Sequence, residues 1–229
     1  MAGGGCPDRS AYKESGAAAQ GIAQATRQGV VRDTECMVSP LPTDQRILDA
    51  AQQLMQAHGY HGVSYAAIAA QVGIRKASVF HHFPTKEDLV RAAVARYRGT
   101  LRAGLAAIDE TGDDPRVKLE RYAGLYRGLL ERRGHMCLCG LLAAEATTLP
   151  EPVRSEVRAY FTEHEAWLGE VLAAGRAAGL LRVDEPLTAA AALVIAGIEG
   201  ALLVARAHAD DARFDAVAGH LVSTFRISG

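Results

Sequence analysis

The stretch GIRKASVFHHFPTKEDL, residues 73–89, decides how the chain folds. Gly73 is the residue type that closes a helix where the backbone needs positive φ. A helical pattern resumes at Lys76 and runs to His82, and Pro84, with no N–H to donate, prevents its continuation. Thr85 then caps a long helix, with Asp88 in the reciprocal third position of a capping box. On the other side of Gly73, Ser64 caps a short helix whose Ala67, Ile68 and Val72 turn inward. Before that, Thr43 caps a first helix with Ile47, Leu48, Ala51, Leu54 and Met55 on one face, stopped at His58-Gly59. Two short helices, 64–72 and 76–82, joined by a tight turn at Gly73-Ile74-Arg75, match a helix-turn-helix, whose second member lies in the major groove of DNA.

The side chains suit that placement. Lys76 and Arg75 stand at the start of the second helix, where they can neutralise phosphates or reach guanine edges, and Ser78 is small enough to let the helix approach bases. Val79 and Phe83 form the apolar side that fixes this helix, whereas Phe80, His81 and His82 present rings toward the backbone. Ser64 and Lys86 begin their helices, where free N–H groups favour phosphate. Charge agrees: net charge is −1, yet no acidic residue occurs from Ser64 to Lys86. Residues 43–102 carry Arg46, Arg75, Lys76, Lys86, Arg91, Arg96, Arg98 and Arg102 against Asp44, Asp49, Glu87 and Asp88. A polyanion has one segment to bind. The adjacent His81 and His82 point apart on a helix and have no Cys or carboxylate beside them, so no metal site is expected there.

Farther out, Leu89, Val90, Ala93, Val94, Tyr97, Leu101 and Leu105 make the buried stripe of the long helix. Further helices are predicted over about 115–132, 136–148, 151–178, 185–209 and 212–227, with no repeat and no strand. The expectation is an all-α protein of about nine helices. A composition of 49% apolar and 6% aromatic residues, rich in Ala, Leu, Arg and Glu, agrees with it. Residues 1–42, holding six Gly and runs of Ala and Gln, read as a mobile extension with one frayed helix over 12–28, and Met37 raises the possibility of an upstream start-site artefact. Three parts are therefore expected: an extension (1–42), a helix-turn-helix DNA-binding domain (43–90) and a larger helical domain (91–229). No apolar run is read as long enough to span a bilayer and no signal-peptide layout is present, which points to the cytoplasm and away from membranes. Cys6, Cys36, Cys137 and Cys139 are too unevenly spaced for a disulfide framework.

From Thr43 to Leu89, and above all over residues 73–89, the chain closely resembles the DNA-binding domain of TetR-family transcriptional regulators. The resemblance implies a dimeric, ligand-responsive regulator, not an enzyme, that binds a near-palindromic double-stranded operator as a repressor and is released by a small-molecule effector. It implies that Lys76, Ser78, His81 and His82 contact DNA, that Ser64 and Lys86 hold phosphates, and that Thr43 touches the backbone. Phe80 stands where the family often has Tyr, and Arg75 where it commonly has a small polar residue.

The same resemblance implies a ligand cavity in the second domain. Tyr97, Leu101, Tyr122, Leu125, Tyr126, Leu129, Leu141, Trp167 and Val171 are candidate walls, with His135 and His164 as polar fixtures, an arrangement suited to a hydrophobic or weakly polar effector. His135-Met136-Cys137-Leu138-Cys139-Gly140 admits three readings: a metal site lacking further ligands, a thiol sensor of oxidants or electrophiles, and small residues that line or back the pocket. The third is preferred; no cofactor and no metal are expected. The last two helices are apolar, and Val194, Ile198, Leu202, Val217 and Leu221 are assigned to a four-helix interface in a homodimer. Of the rivals, a helical enzyme using Cys137 with His135 or His164 lacks an assembled acid–base motif, and a non-DNA interaction module leaves the basic segment without a reason.

Overall fold

Capping chemistry sets the starts of the helices that the sequence marks most clearly. The Ser64 side chain accepts from the Ala67 N–H (3.2 Å). Thr85 Oγ1 accepts from the Asp88 N–H (3.0 Å) and its hydroxyl donates to the Asp88 carboxylate (2.7 Å), a reciprocal pair made through the hydroxyl in place of the backbone N–H of a capping box. Thr43 is instead the first helical residue: Pro42 occupies the cap position and contributes no side-chain bond. Gly73 takes φ 74° and closes the helix before it in the left-handed region.

The structure is a computed structural model that describes residues 41–131 and 136–227. The expectations for the N-terminal extension up to residue 40, Cys6 and Cys36 included, and for His135 lie outside the described residues. The elements are α1 (Thr43–His58), α2 (Tyr65–Val72), α3 (Lys76–His82), α4 (Lys86–Glu110), α5 (Pro115–Glu131), α6 (Leu138–Ala144), a 3-10 turn (Ala146–Thr148), α7 (Glu151–Ala177), α8 (Leu187–His208) and α9 (Asp211–Thr224). The fold is all-α, with nine α-helices among the described residues. There, the one β-type pairing is an isolated bridge between Leu181 and Arg226.

Helix α6 is shorter than the predicted 136–148, because the chain tightens at Glu145, whose N–H bonds to the Leu142 carbonyl (3.1 Å). Helix α8 begins after Pro186, which takes the cap position, and not at 185. The expectation that no apolar run is long enough to span a bilayer overlooked helix α8: an 18-residue window within its 22 residues reaches a mean hydropathy of 2.1, enough by length and composition alone to cross one, a test that the core helix of a soluble protein also passes. Here it packs between α7 and α9 and buries nine residues, from Ala190 to Ala205.

Ile47, Ile68, Val79 and Leu89, all fully buried, join α1–α3 to the start of α4. Helix α4 continues unbroken from 86 to 110, so the predicted boundary at 90/91 falls within it; α7 packs along α4, and α5, α8 and α9 complete the larger bundle. In α4 the predicted stripe is buried apart from the half-buried Leu101, with Ile108 added.

Candidate DNA interface and interior polar cluster

Helix α3 is anchored by one residue and presents the rest. Val79 is fully buried, while Arg75, Lys76, Phe80, His81 and His82 are exposed and Ser78 is half-buried. The Tyr65 hydroxyl donates to the Phe83 carbonyl (2.7 Å), tying the start of α2 to the end of α3. Phe80, 44% exposed, sets its ring edge-on to Tyr65 at 4.2 Å, and Lys76 Nζ stands 5.6 Å from the Phe80 centroid. Arg46 of α1 donates to the Val72 carbonyl and fixes the end of α2. Phe80 thus shapes the surface through Tyr65 and Lys76. Ser64 is exposed and Thr43 half-buried.

Lys86 is half-buried, with its ammonium 4.4 Å from the centre of the Tyr60 ring. Burial lowers its pKa and Glu145 opposes that shift. The Glu145 carboxylate accepts from the Tyr60 N–H (2.8 Å). The C-terminal end of α6 is thereby fastened to the loop after α1, and so to a candidate phosphate-binding lysine. A second tie lies nearby: Gln56, 2% exposed, donates from Nε2 to the Met136 carbonyl (2.6 Å).

Inside the larger bundle, tyrosine hydroxyls converge. Tyr160 lies 2.6 Å from Tyr126, Tyr126 3.2 Å from Tyr122, and His164 Nδ1 3.1 Å from Tyr122 and 3.3 Å from Tyr126, all oxygen or nitrogen separations. Burial depresses the His164 pKa to about 4, so the ring is neutral, and a proton on Nε2 leaves Nδ1 to accept from a tyrosine. The Cys137 thiol is 3.4 Å from the Tyr160 hydroxyl and accepts from the Gly140 N–H (3.5 Å) as the N-cap of α6. Burial pushes the Cys137 and Cys139 thiols well up and keeps both protonated, the reverse of an activated thiolate. Trp167 stacks on Tyr122 (5.7 Å) and donates to Asp109 (2.8 Å), and its other surroundings open into a hollow of about 480 Å³ that also touches Lys118 and Val171.

Of the predicted pocket residues, Tyr122, Tyr126, Cys137 and His164 are in direct contact and Tyr97 reaches Tyr160 at 6.4 Å between rings. Leu101 and Leu141 are half-buried at the core's margin. The interior is more polar than a hydrophobic effector would need. Sequence reasoning missed Tyr160, although it precedes His164 by one helical turn, and Glu199, a buried carboxylate and the one acid of a largely apolar helix. It also missed Gln56, Tyr60 and Glu145, whose partners are 80 or more residues away. Among the described residues, no group of three His, Cys, Asp or Glu side chains is placed to hold a metal.

Helices α8 and α9 differ from expectation in which face they show. Val194, Ile198 and Leu202 are buried within the protomer, and Leu221 is half-buried against Gly197; Val217 is 46% exposed. The outward apolar residues of these two helices are Leu193, Leu203, Val204 and Val217. A helix that is apolar all round gives no periodic signal for which stripe turns inward.

Helix-turn-helix geometry with an exposed basic recognition helix on an all-α bundle defines a DNA-binding transcriptional regulator. Residues 47–93 match the model for bacterial regulatory proteins of the tetR family, and residues 117–221 match that for the tetracyclin repressor-like C-terminal domain. The chain is 40% identical to a TetR-family transcriptional regulator of Agrobacterium tumefaciens, whose crystal structure superposes with a TM-score of 0.78 over 81% of this chain and 98% of that one. A TetR regulator from Legionella pneumophila is 27% identical, with a TM-score of 0.74 over 81% and 98% of the two chains. The HTH-type transcriptional repressor DhaR of Mycobacterium sp. (strain GP1) is 25% identical over 71% of this chain and 81% of its own. The protein belongs to the TetR family and is a transcriptional regulator, not an enzyme.

Proposed function

We propose that the protein is a cytoplasmic, homodimeric repressor that binds a near-palindromic operator and is released by a small-molecule effector bound in the interior cluster. One observation carries the reading: α6 fastens that cluster to the DNA-facing helices. Cys137, which caps α6 and touches Tyr160, follows directly on Met136, whose carbonyl Gln56 of α1 holds, and Glu145 holds Tyr60 beside Lys86. The repressor sign is supported by the similarity to the repressor DhaR, and the dimer by the outward apolar residues Leu193, Leu203, Val204 and Val217 of the last two helices. On DNA, Arg75, Lys76, Ser78, His81 and His82 face the groove, while Ser64, Lys86 and Thr43 take the backbone, and Phe80 steers Lys76.

The test is salt dependence on fragments selected from the source genome. Lys76→Ala and Lys86→Ala should each weaken binding and flatten the log–log salt slope by about one unit. Unchanged affinity and slope in both variants would remove the interface from this face.

A further inference from the structure

Glu199 is the first charged residue of α8, preceded there by apolar and small residues and one threonine, and it is buried. Cys137 and Tyr160 hydrogen-bond its carboxylate, but its Oε1 has no hydrogen-bond partner. Gly140 makes the room it occupies: a Cβ there would stand 2.5 Å from Glu199 Oε2 and 3.1 Å from its Cδ. The titratable groups that feel its charge are Cys137 and Cys139 around the start of α6, Tyr122 and Tyr126 on α5, and Tyr160 on α7. None of them supplies a positive charge. Arg98, whose charge reaches Cys139, is committed to Glu156 (2.7 Å) and Glu163 (3.5 Å). A buried carboxylate oxygen without donor or counter-ion is unfavourable by itself and becomes favourable when a cation meets it.

Resting on the reading of this interior as the effector site, we infer that Glu199 anchors the effector and that the site selects a small organic cation, an ammonium head donating to Glu199 Oε1 on an apolar or aromatic body. An anionic ligand meets the carboxylate and, among the described residues of the cluster, no Lys or Arg to offset it. Geometry also gives a pH signature. With no cation bound, burial holds the Glu199 carboxyl at about 7, while the surrounding thiols and tyrosines stay protonated and His164 stays neutral above about 4. The cation requires the ionised carboxylate, so its affinity should fall about tenfold per pH unit below 7.

Calorimetric titration of the full chain with a series matched in shape and differing in charge, phenethylamine, phenethyl alcohol and hydrocinnamate, tests this. Phenethylamine should bind at least about tenfold more tightly than the alcohol at pH 7.5, as a charge-assisted bond predicts, and hydrocinnamate most weakly. Glu199→Gln should bring the amine down to the alcohol and leave the alcohol unchanged. Gly140→Ala, which keeps the charge but displaces it, should do the same and guards against a Gln variant that misfolds. Equal affinity for amine and alcohol, preference for the acid, no binding by any of the three, or an amine preference surviving in both variants overturns the inference. DNA binding is measured on the same preparation. Charge preference without DNA binding keeps the inference and sinks the regulator reading; DNA binding without charge preference does the opposite.

Discussion

Replacing Glu199 by Gln should make the protein more stable, and by an amount that depends on pH in a defined way. A carboxyl that titrates at about 7 when folded and at its ordinary 4.5 when unfolded binds more protons in the folded state between those values. Stability therefore falls as pH rises through that window, by about 1.4 kcal/mol per unit, and the loss saturates near 3 kcal/mol above pH 7. His164 does the reverse: held down to about 4 from 6.5, it binds its proton only when unfolded in that range, so its contribution rises with pH by a similar amount. Between pH 4.5 and 6.5 the two slopes oppose each other in the natural chain. Glu199→Gln removes one and uncovers the other. Urea unfolding followed by circular dichroism, at fixed protomer concentration, should show the variant gaining on wild type from almost nothing at pH 4.5 to about 3 kcal/mol at pH 7.5. A difference that does not vary with pH would refute the burial argument, since a packing change alone carries no proton.

Three further outcomes follow from contacts already described. Gln56→Leu leaves the Met136 carbonyl without its donor and should lower stability by about 1–3 kcal/mol, seen as a drop in Tm of at least about 2 °C; an unchanged Tm would show the tie to be idle. Leu203→Glu combined with Val217→Glu should give folded monomers by sedimentation velocity, whereas Ile198→Glu, which places a charge in the protomer's own core, should unfold the chain; a folded dimer from the double variant would move the interface elsewhere. Cys137 and Cys139 should resist alkylation in the folded protein at neutral pH and react quickly in urea, read by mass spectrometry; rapid modification of the folded form would restore the thiol-sensor reading.

The DNA-facing half was legible because its information is local. Ser64, Gly73, Thr85 and Asp88 each fix a helix end through bonds to residues within a few positions, Pro84 does so by lacking an N–H, and a sequence displays such signals directly. The interior was legible only in part. Tyr122 with Tyr126, and His164 with Trp167, lie about one turn apart and announce a shared face, but which oxygen meets which nitrogen depends on how α5 packs on α7. Glu199 offered one usable signal, a lone acid in an apolar helix, and its neighbour Gly140 none, because the glycine matters only after α6 and α8 are brought together. That Val194, Ile198 and Leu202 turn into the protomer was not legible for a related reason. Helix α8 is apolar on its inner and outer faces alike, so periodicity marks two stripes without saying which one the protomer keeps.

The short span of α6 bears on how such an interior can govern DNA binding. Seven residues of α-helix are about 10 Å long, too short to bend appreciably, so a movement imposed on Cys137 carries to Glu145 as a rigid displacement. At one end that displacement pulls on the Met136 carbonyl and Gln56; at the other it changes what Glu145 offers to Tyr60 and Lys86. If Lys86 holds a phosphate as proposed, Glu145 and that phosphate compete for the same ammonium, so a shift of α6 toward Lys86 disfavours the phosphate contact and a shift away frees it. In the proposed repressor the effector needs only to prefer the first position. Linkage then requires that operator DNA weaken the amine by the same factor by which the amine weakens DNA, an equality that titrations with and without bound DNA measure from both sides.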